Sequence, residues 1–288
     1  MQTNTPRRST RGTRRTIRLT RRGRIALIVT GAVVAGTAVA VPLLTTDDEG
    51  DSRPTSLVIP EGRRATQVYE AVDKTLALPA GTTKKSLAKA DLELPNDAEG
   101  NPEGYLFPAT YPLGENPTPE KLLTAMVDTA NKKFTGAPIA AGAQRNALNV
   151  YQAVTIASIV QAEAATEEDM GKVARVIFNR LERGMPLQMD STIDYALGRS
   201  TLDTTATDTR IDSPYNSYQR MGLPPTPIAN PGDDAMRAAI DPTPGDWLYF
   251  VTVKPGDTRF TADHAEHQRN VAEFNRLRES ASGDAGDR

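Results

Sequence analysis

Glu163 is the residue in this chain best placed to move a proton. It ends the run Ala153-Val154-Thr155-Ile156-Ala157-Ser158-Ile159-Val160-Gln161-Ala162-Glu163; Ala153, Ile156, Ala157 and Val160, with Ala164 just beyond, recur at the spacing of one helix face. At about 100° per residue, Glu163 falls within roughly 20° of Ile156, on the border between the apolar and polar sides. A carboxyl so placed loses part of its hydration, which penalises the charged form and raises its pKa. That is what a general acid needs near neutral pH. On spacing alone, a glutamate that merely caps or solvates a helix end is the competing reading.

The remaining side chains narrow the chemistry. There are no cysteines, so neither a disulfide framework nor a thiolate metal site is available. The two histidines, His264 and His267, lie close together near the C-terminus without an HExxH or comparable set, and read as a surface pair at a helix start. No metal or other cofactor is expected. No serine sits in a nucleophile elbow, and there is neither a P-loop nor a GxGxxG loop. What is left is carboxylate chemistry flanked by amides and tyrosines. Asn179, Gln188, Asn216 and Asn230, with Tyr215 and Tyr218, are side chains suited to hydrogen-bonding sugar hydroxyls and N-acetyl groups, and tyrosine faces stack on pyranose rings. The candidate substrate site is therefore Gln188, Asp190, Tyr215, Asn216, Tyr218 and Asn230, each also open to a purely structural reading.

Local signals predict the elements that must hold these groups. Thr166-Glu167-Glu168-Asp169 reads as a capping box ahead of Val173, Ile177 and Leu181 at helical spacing, with Gly184 as a left-handed stop. Two helices then meet at 164–166, with Glu163 at the elbow. Upstream, Ser56 to Ile59 reads as a short strand and Ala65 to Leu78 as a helix, followed by connections at 82–87 and 92–104. Tyr105, Phe107 and Tyr111 are either core or a sugar-facing wall. Thr118 and Pro119 open a helix to about Phe134, and 140–146 reads as a loop or short turn. Residues 198–213 are almost wholly polar and read as a mobile surface loop. Five prolines between 214 and 231 predict a rigid, extended wall. A short helix at 233–240, a hairpin from Trp247 through Phe260 and a last helix at 267–278 complete an α+β chain.

The N-terminus is of another kind. Residues 1–24 carry nine arginines and no acid, and residues 25–44 are uncharged and rich in Val, Ala, Ile and Leu. Twenty such residues span about 30 Å as a helix, the thickness of a bilayer's hydrocarbon core. The arginines on one flank and Asp47-Asp48-Glu49 on the other predict a single span with the N-terminus in the cytoplasm. A cleavable signal peptide ending at the small residues Ala38 and Ala40 is the alternative. Either way, the bulk of the chain is exported. That exported part holds 25 basic against 36 acidic residues, a formal −11, which argues against nucleic acid as a partner.

Several segments together resemble the YceG-like family of endolytic murein transglycosylases. They are Glu103-Gly104-Tyr105-Leu106-Phe107-Pro108, the stretch 157–164, Val173 to Leu181, Gly184-Met185-Pro186-Leu187-Gln188-Met189-Asp190, Tyr215-Asn216-Ser217-Tyr218 and 222–232. The resemblance runs in order from about residue 56 to 278. It implies a basic cytoplasmic tail (1–24), one membrane helix (25–44), a linker (45–55), a LysM-like α+β module (56–98), a mixed helical and β-hairpin catalytic domain (99–279) and a disordered tail (280–288). It further implies lytic cleavage of peptidoglycan glycan strands near the membrane, between N-acetylmuramic acid and N-acetylglucosamine, leaving a 1,6-anhydro end. Cell-wall synthesis proteins join the candidate partners. The catalytic acid carried over is Glu163, the second acid of a Val-Glu-x-Glu pattern whose first acid is here Gln161. Two further departures are Thr258 near the place of a histidine in the late hairpin, and a LysM-like module that looks truncated. A two-carboxylate hydrolase using Asp190, and a non-catalytic glycan-binding scaffold, are the alternatives.

Overall fold

The computed structural model describes residues 54–199 and 204–285. The basic tail, the 25–44 span and nearly all of the 45–55 linker lie outside the described residues. Among the described residues no helix is long and apolar enough to cross a membrane.

The architecture is α+β, with short strands and a helical centre. Strand β1 (Ser56–Val58) pairs antiparallel with β2 (Thr110–Pro112), Leu57 opposite Tyr111. Between them lie α1 (Ala65–Thr75) and the short α2 (Thr82–Ser86), which replaces the connection expected at 82–87. Leu57, Ile59, Val68, Val72 and Ala98 share one continuous core with Tyr105, Phe107, Phe134 and the helices that follow. The aromatics of the 103–113 stretch accordingly belong to the core, not to a sugar-facing wall. Tyr105 meets Phe134 edge-on at 5.7 Å and stacks on Tyr151 at 6.1 Å.

Helix α3 (Pro119–Phe134) starts where its sequence says, with the Thr118 hydroxyl accepting from the Lys121 N–H. Next comes α4 (Ala137–Arg145), where a loop is expected from the sequence. Its apolar residues are nearly all alanines, so little periodicity shows, yet alanine is the best helix former and Pro138 fits the first turn.

Helix α5 (Val150–Glu163) is the centre, packed against α4 and the three helices α6 (Glu167–Glu182), α7 (Asp190–Ala196) and α8 (Asp233–Ile240). The sequence predicts an amphipathic helix, but α5 is enclosed on every side: Tyr151 and all residues from Ala153 to Val160 are buried. Val150, Val154, Thr155, Ile156, Ile159 and Val160 are β-branched, each costing helix propensity of up to about 0.7 kcal/mol. Burying one Val or Ile side chain returns about 1.5–3 kcal/mol, so packing decides the conformation. A reciprocal capping box starts the helix, with Gln152 N–H on Asn149 Oδ1 at 2.8 Å and Asn149 N–H on Gln152 Oε1 at 2.9 Å.

Helix α6 begins with half of its expected capping box: the Thr166 hydroxyl accepts from Asp169 N–H, and no return bond is made among the described residues. It ends as predicted. Gly184 adopts φ +59°, with Met185 N–H on Arg180 O and Gly184 N–H on Leu181 O, the paired bonds of a Schellman stop.

The proline-rich stretch is not an outer wall. Pro227 to Gly232 is buried, bonded to α5 on one side and to the turn ahead of α1 on the other, with Ile228 N–H donating to the Ser158 hydroxyl at 3.0 Å and Gly62 N–H to Asn230 O at 2.9 Å. Strands β3 (Tyr249–Lys254) and β4 (Asp257–Thr261) form the expected hairpin. Helix α9 (His264–Ala285) starts earlier and runs further than the sequence suggests, continuing through residues expected to be disordered.

Candidate active site

Glu163 is the last residue of α5, followed by Ala164 in extended conformation and Thr166 capping α6. The predicted elbow therefore exists. A carboxylate at this end faces the negative pole of its own helix, which disfavours the charge by about 0.3–1 kcal/mol. Burial pushes the carboxyl pKa up; contacts from Ser191 oppose the shift, and the charges of Asp190 and Asp194 add to it. The residue keeps partial access to solvent, so a ligand can still reach it.

Across from Glu163 stands the first turn of α7. The Ser191 N–H, one of the donors a helix start leaves unpaired, donates to Glu163 Oε1 at 3.2 Å. The Ser191 hydroxyl is buried beside the same carboxyl and lowers its pKa, although it is not turned into full hydrogen-bonding geometry. Asp190, the neighbouring residue, is exposed, and its Oδ1 accepts from the Tyr218 hydroxyl at 2.5 Å. Although the residue as a whole is exposed, its carboxyl is partly desolvated by the protein around it, which raises its pKa against the Tyr218 bond that lowers it.

Two buried groups hold this turn in place. Arg180 of α6 sends Nε to Leu248 O at 2.6 Å, and Nη1 to Leu187 O at 2.7 Å, Pro186 O at 3.2 Å and Gln188 Oε1 at 3.1 Å. Ser217 accepts Gln188 N–H on its carbonyl and Met189 N–H on its hydroxyl, both at 2.9 Å. Together they hold Gln188 at φ +51°, a conformation costly for a residue other than glycine. The backbone then delivers Asp190 and Ser191 to the end of α5.

The structure thus brings Glu163, Asp190, Tyr218 and Gln188 to one place, with Ser191, Arg180 and Ser217 as residues that sequence reasoning missed. Two of the expected substrate residues do not belong there. Asn216 is fully buried, its amide on Ile211 O at 2.8 Å and Thr209 O at 3.2 Å, its carbonyl accepting Tyr218 N–H at 3.0 Å. Asn230 is fully buried too, bonded to Arg63 O at 2.8 Å, Leu106 N at 2.8 Å and Glu103 Oε1 at 3.3 Å. Both amides are spent on groups inside the fold, chiefly backbone, and are closed off from solvent. Tyr215 pairs with Tyr195 at 4.9 Å toward the far end of α7, its hydroxyl on Thr226.

Three further groups fall into place. Gln161 Oε1 accepts the Gly232 N–H at 2.9 Å, which ties the proline-rich seam to α5 and needs only an acceptor. Glu103, enclosed in the core, is pushed up to about 7 by burial, against the Ala65 N–H, the Tyr195 hydroxyl and the nearby Arg64. The polar stretch after α7 is anchored in its described part, since Arg199 bridges Asp194 at 3.0 Å and Asp208 at 2.7 Å. Among the described residues no group of three or more potential side-chain ligands could hold a metal ion.

Comparison with known proteins places this geometry in context. Residues 36–273 match the profile described as the YceG-like family. The chain is 35% identical over 255 residues to an endolytic murein transglycosylase of Streptococcus pneumoniae serotype 2, covering 79% of this chain and 46% of that one. It is 39% identical over 168 residues to the protein of that name from Bacillus subtilis, covering 58% and 46%. The chain thus spans about half the length of the curated relatives it matches. A crystal structure of a YceG-like protein from Listeria monocytogenes superposes with a TM-score of 0.65 at 32% identity, covering 75% of each chain.

Proposed function

The chain belongs to the YceG-like family, and from that premise we propose that it is an endolytic lytic transglycosylase acting on peptidoglycan glycan strands. The observation that carries the reading is Glu163: a carboxyl at a helix end, reachable from solvent, whose pKa is pushed up by burial and by the charges of neighbouring acids. In the proposed reaction it gives its proton to the oxygen bridging N-acetylmuramic acid and N-acetylglucosamine. As that C–O bond breaks, the muramyl 6-hydroxyl closes on the anomeric carbon and returns its proton to Glu163. The product ends in a 1,6-anhydro ring. Attack from within the sugar is an intramolecular step, so no second carboxylate is needed to activate water. Gln188, Asp190 and Tyr218 are the side chains proposed to meet the strand.

A hydrolase would need Asp190 as its second carboxylate. That reading is disfavoured because Asp190 commits Oδ1 to the Tyr218 hydroxyl. The two readings part by mass, since hydrolysis adds water to the product and lytic cleavage does not. Incubating the full-length chain with purified glycan strands should release anhydro-ended fragments, and Glu163→Gln should abolish them while leaving the melting temperature within a few degrees. Strands bound but never cut would leave only a glycan-binding scaffold.

The reading extends to location. Residues 25–44 are proposed as a single membrane anchor with the arginine-rich tail in the cytoplasm, and 56–98 as a short LysM-like module beside the catalytic part. This would hold the site outside the cytoplasm near the membrane, where strands and cell-wall synthesis proteins meet it.

A further inference from the structure

We infer that Ser191 is a positioning residue for Glu163, its hydroxyl held in reserve to donate a hydrogen bond to the carboxylate that proton transfer creates. This rests on the proposed role of Glu163 as the acid. The geometry is specific. The Ser191 N–H already donates to Oε1 at 3.2 Å, which brings the hydroxyl on the same residue against the carboxyl. That hydroxyl is buried and close enough to the Glu163 carboxyl to pull its pKa down, yet it is not turned into hydrogen-bonding geometry with any of the described residues. A buried hydroxyl whose hydrogen bond is incomplete is costly, and a state in which that bond closes fully accounts for it. Helix capping does not supply one, because Met189 occupies the cap of α7 and the hydroxyl makes no cap bond.

The charge balance identifies that state. While Glu163 carries its proton, the proton points at the glycosidic oxygen and the carboxyl needs no second donor. Once the proton has moved to the leaving oxygen, a carboxylate faces the like charges of Asp190 and Asp194 on α7 and the neutral Tyr218 hydroxyl, already given to Asp190. Among the described residues, no cation belongs to the groups that shift its pKa. A rotation about the Ser191 Cα–Cβ bond turns the hydroxyl onto the new anion. An interaction gained only as charge develops accelerates the step without tightening substrate binding. Ser191 exchanges no proton with the sugar; the proton leaves Glu163 for the bridging oxygen and comes back from the muramyl 6-hydroxyl.

The test uses the full-length chain and three variants: Ser191→Ala, Ser191→Thr and Glu163→Gln. Carbon-13 carboxyl titration by NMR reads the Glu163 midpoint directly, its resonance assigned by its loss in the glutamine variant. In the alanine variant the midpoint should move to higher pH, and kcat on glycan strands should fall about 10-fold with KM changed less than about twofold. Threonine, which keeps the hydroxyl, should restore both. A wild-type midpoint in the alanine variant, or a threonine variant as impaired as alanine, overturns the inference even when Glu163→Gln is inactive. Anhydro product still made by Glu163→Gln overturns the parent reading of Glu163, and with it the catalytic part of this inference.

Discussion

The Tyr218 hydroxyl donates to Asp190 Oδ1 at 2.5 Å, joining the segment after the polar loop to the first residue of α7. Each group perturbs the other: the bond lowers the Asp190 pKa, and Asp190 raises that of Tyr218 after burial has done so first. Because Asp190 is exposed, solvent screens the pair, and its worth in stability is about 1 kcal/mol or less. Tyr218→Phe should therefore unfold at nearly the wild-type denaturant concentration while losing about 10-fold in kcat/KM, as expected for one misplaced site group. A cycle with Asp190→Asn tests the coupling. If the two losses simply add, the bond contributes nothing to the reaction.

Asp190 also acts on Glu163 through its charge. As a like charge it raises the Glu163 pKa, and a general acid is active only while protonated. The rate should accordingly fall as pH rises through that pKa. Removing the charge in Asp190→Asn lowers the Glu163 pKa, so the alkaline limb of the pH profile should move toward lower pH. A limb that stays in place, or moves the other way, would show that Asp190 is neutral or too distant to matter.

Glu103 makes a separate prediction about stability. Its folded pKa is raised to about 7 from 4.5, chiefly by burial. Between those values the native state binds a proton that the unfolded chain has released, so unfolding free energy falls as pH rises through the window. Stability from this group is fully present below pH 4.5 and gone above about 7, a change on the order of 3 kcal/mol. Urea unfolding at several pH values should show this slope in the wild type and a flatter one in Glu103→Gln. Equal slopes would mean that Glu103 titrates normally.

The sequence carried the helices whose boundaries are written in local chemistry. Thr118-Pro119 at the start of α3, Thr166 before α6 and Gly184 after it are signals a chain of any fold would obey. The elbow holding Glu163 was legible for that reason. Partnership across the chain was not. Asn216 and Asn230 have the same side chain that a sugar site would use, and only the fold reveals that backbone groups consume them. Conversely, Ser191 matters through one backbone N–H and one buried hydroxyl, which no spacing rule marks. Nor does any local signal give Arg180 its carbonyl partners at Leu187 and at Leu248, just ahead of β3. The five prolines argued correctly for an irregular segment, but nothing local said that it would run inside.

That inner seam yields the last prediction. Gly104 has φ +87°, a region side chains rarely enter, and a Cβ there would lie 2.6 Å from Pro227 Cβ and Cγ and 3.0 Å from Val154 Cγ1. Pro227 is rigid and buried, and Val154 belongs to the fully buried centre of α5, so neither can give way cheaply. Strain at the left-handed backbone and overpacking each cost about 1–3 kcal/mol. Gly104→Ala should therefore destabilise the chain by about 2–6 kcal/mol, measured as a lowered urea midpoint at unchanged m-value. Pro227→Ala, by opening space for the new methyl, should recover part of the loss when combined with it. A Gly104→Ala protein as stable as wild type would mean that the proline-rich seam does not press on this turn.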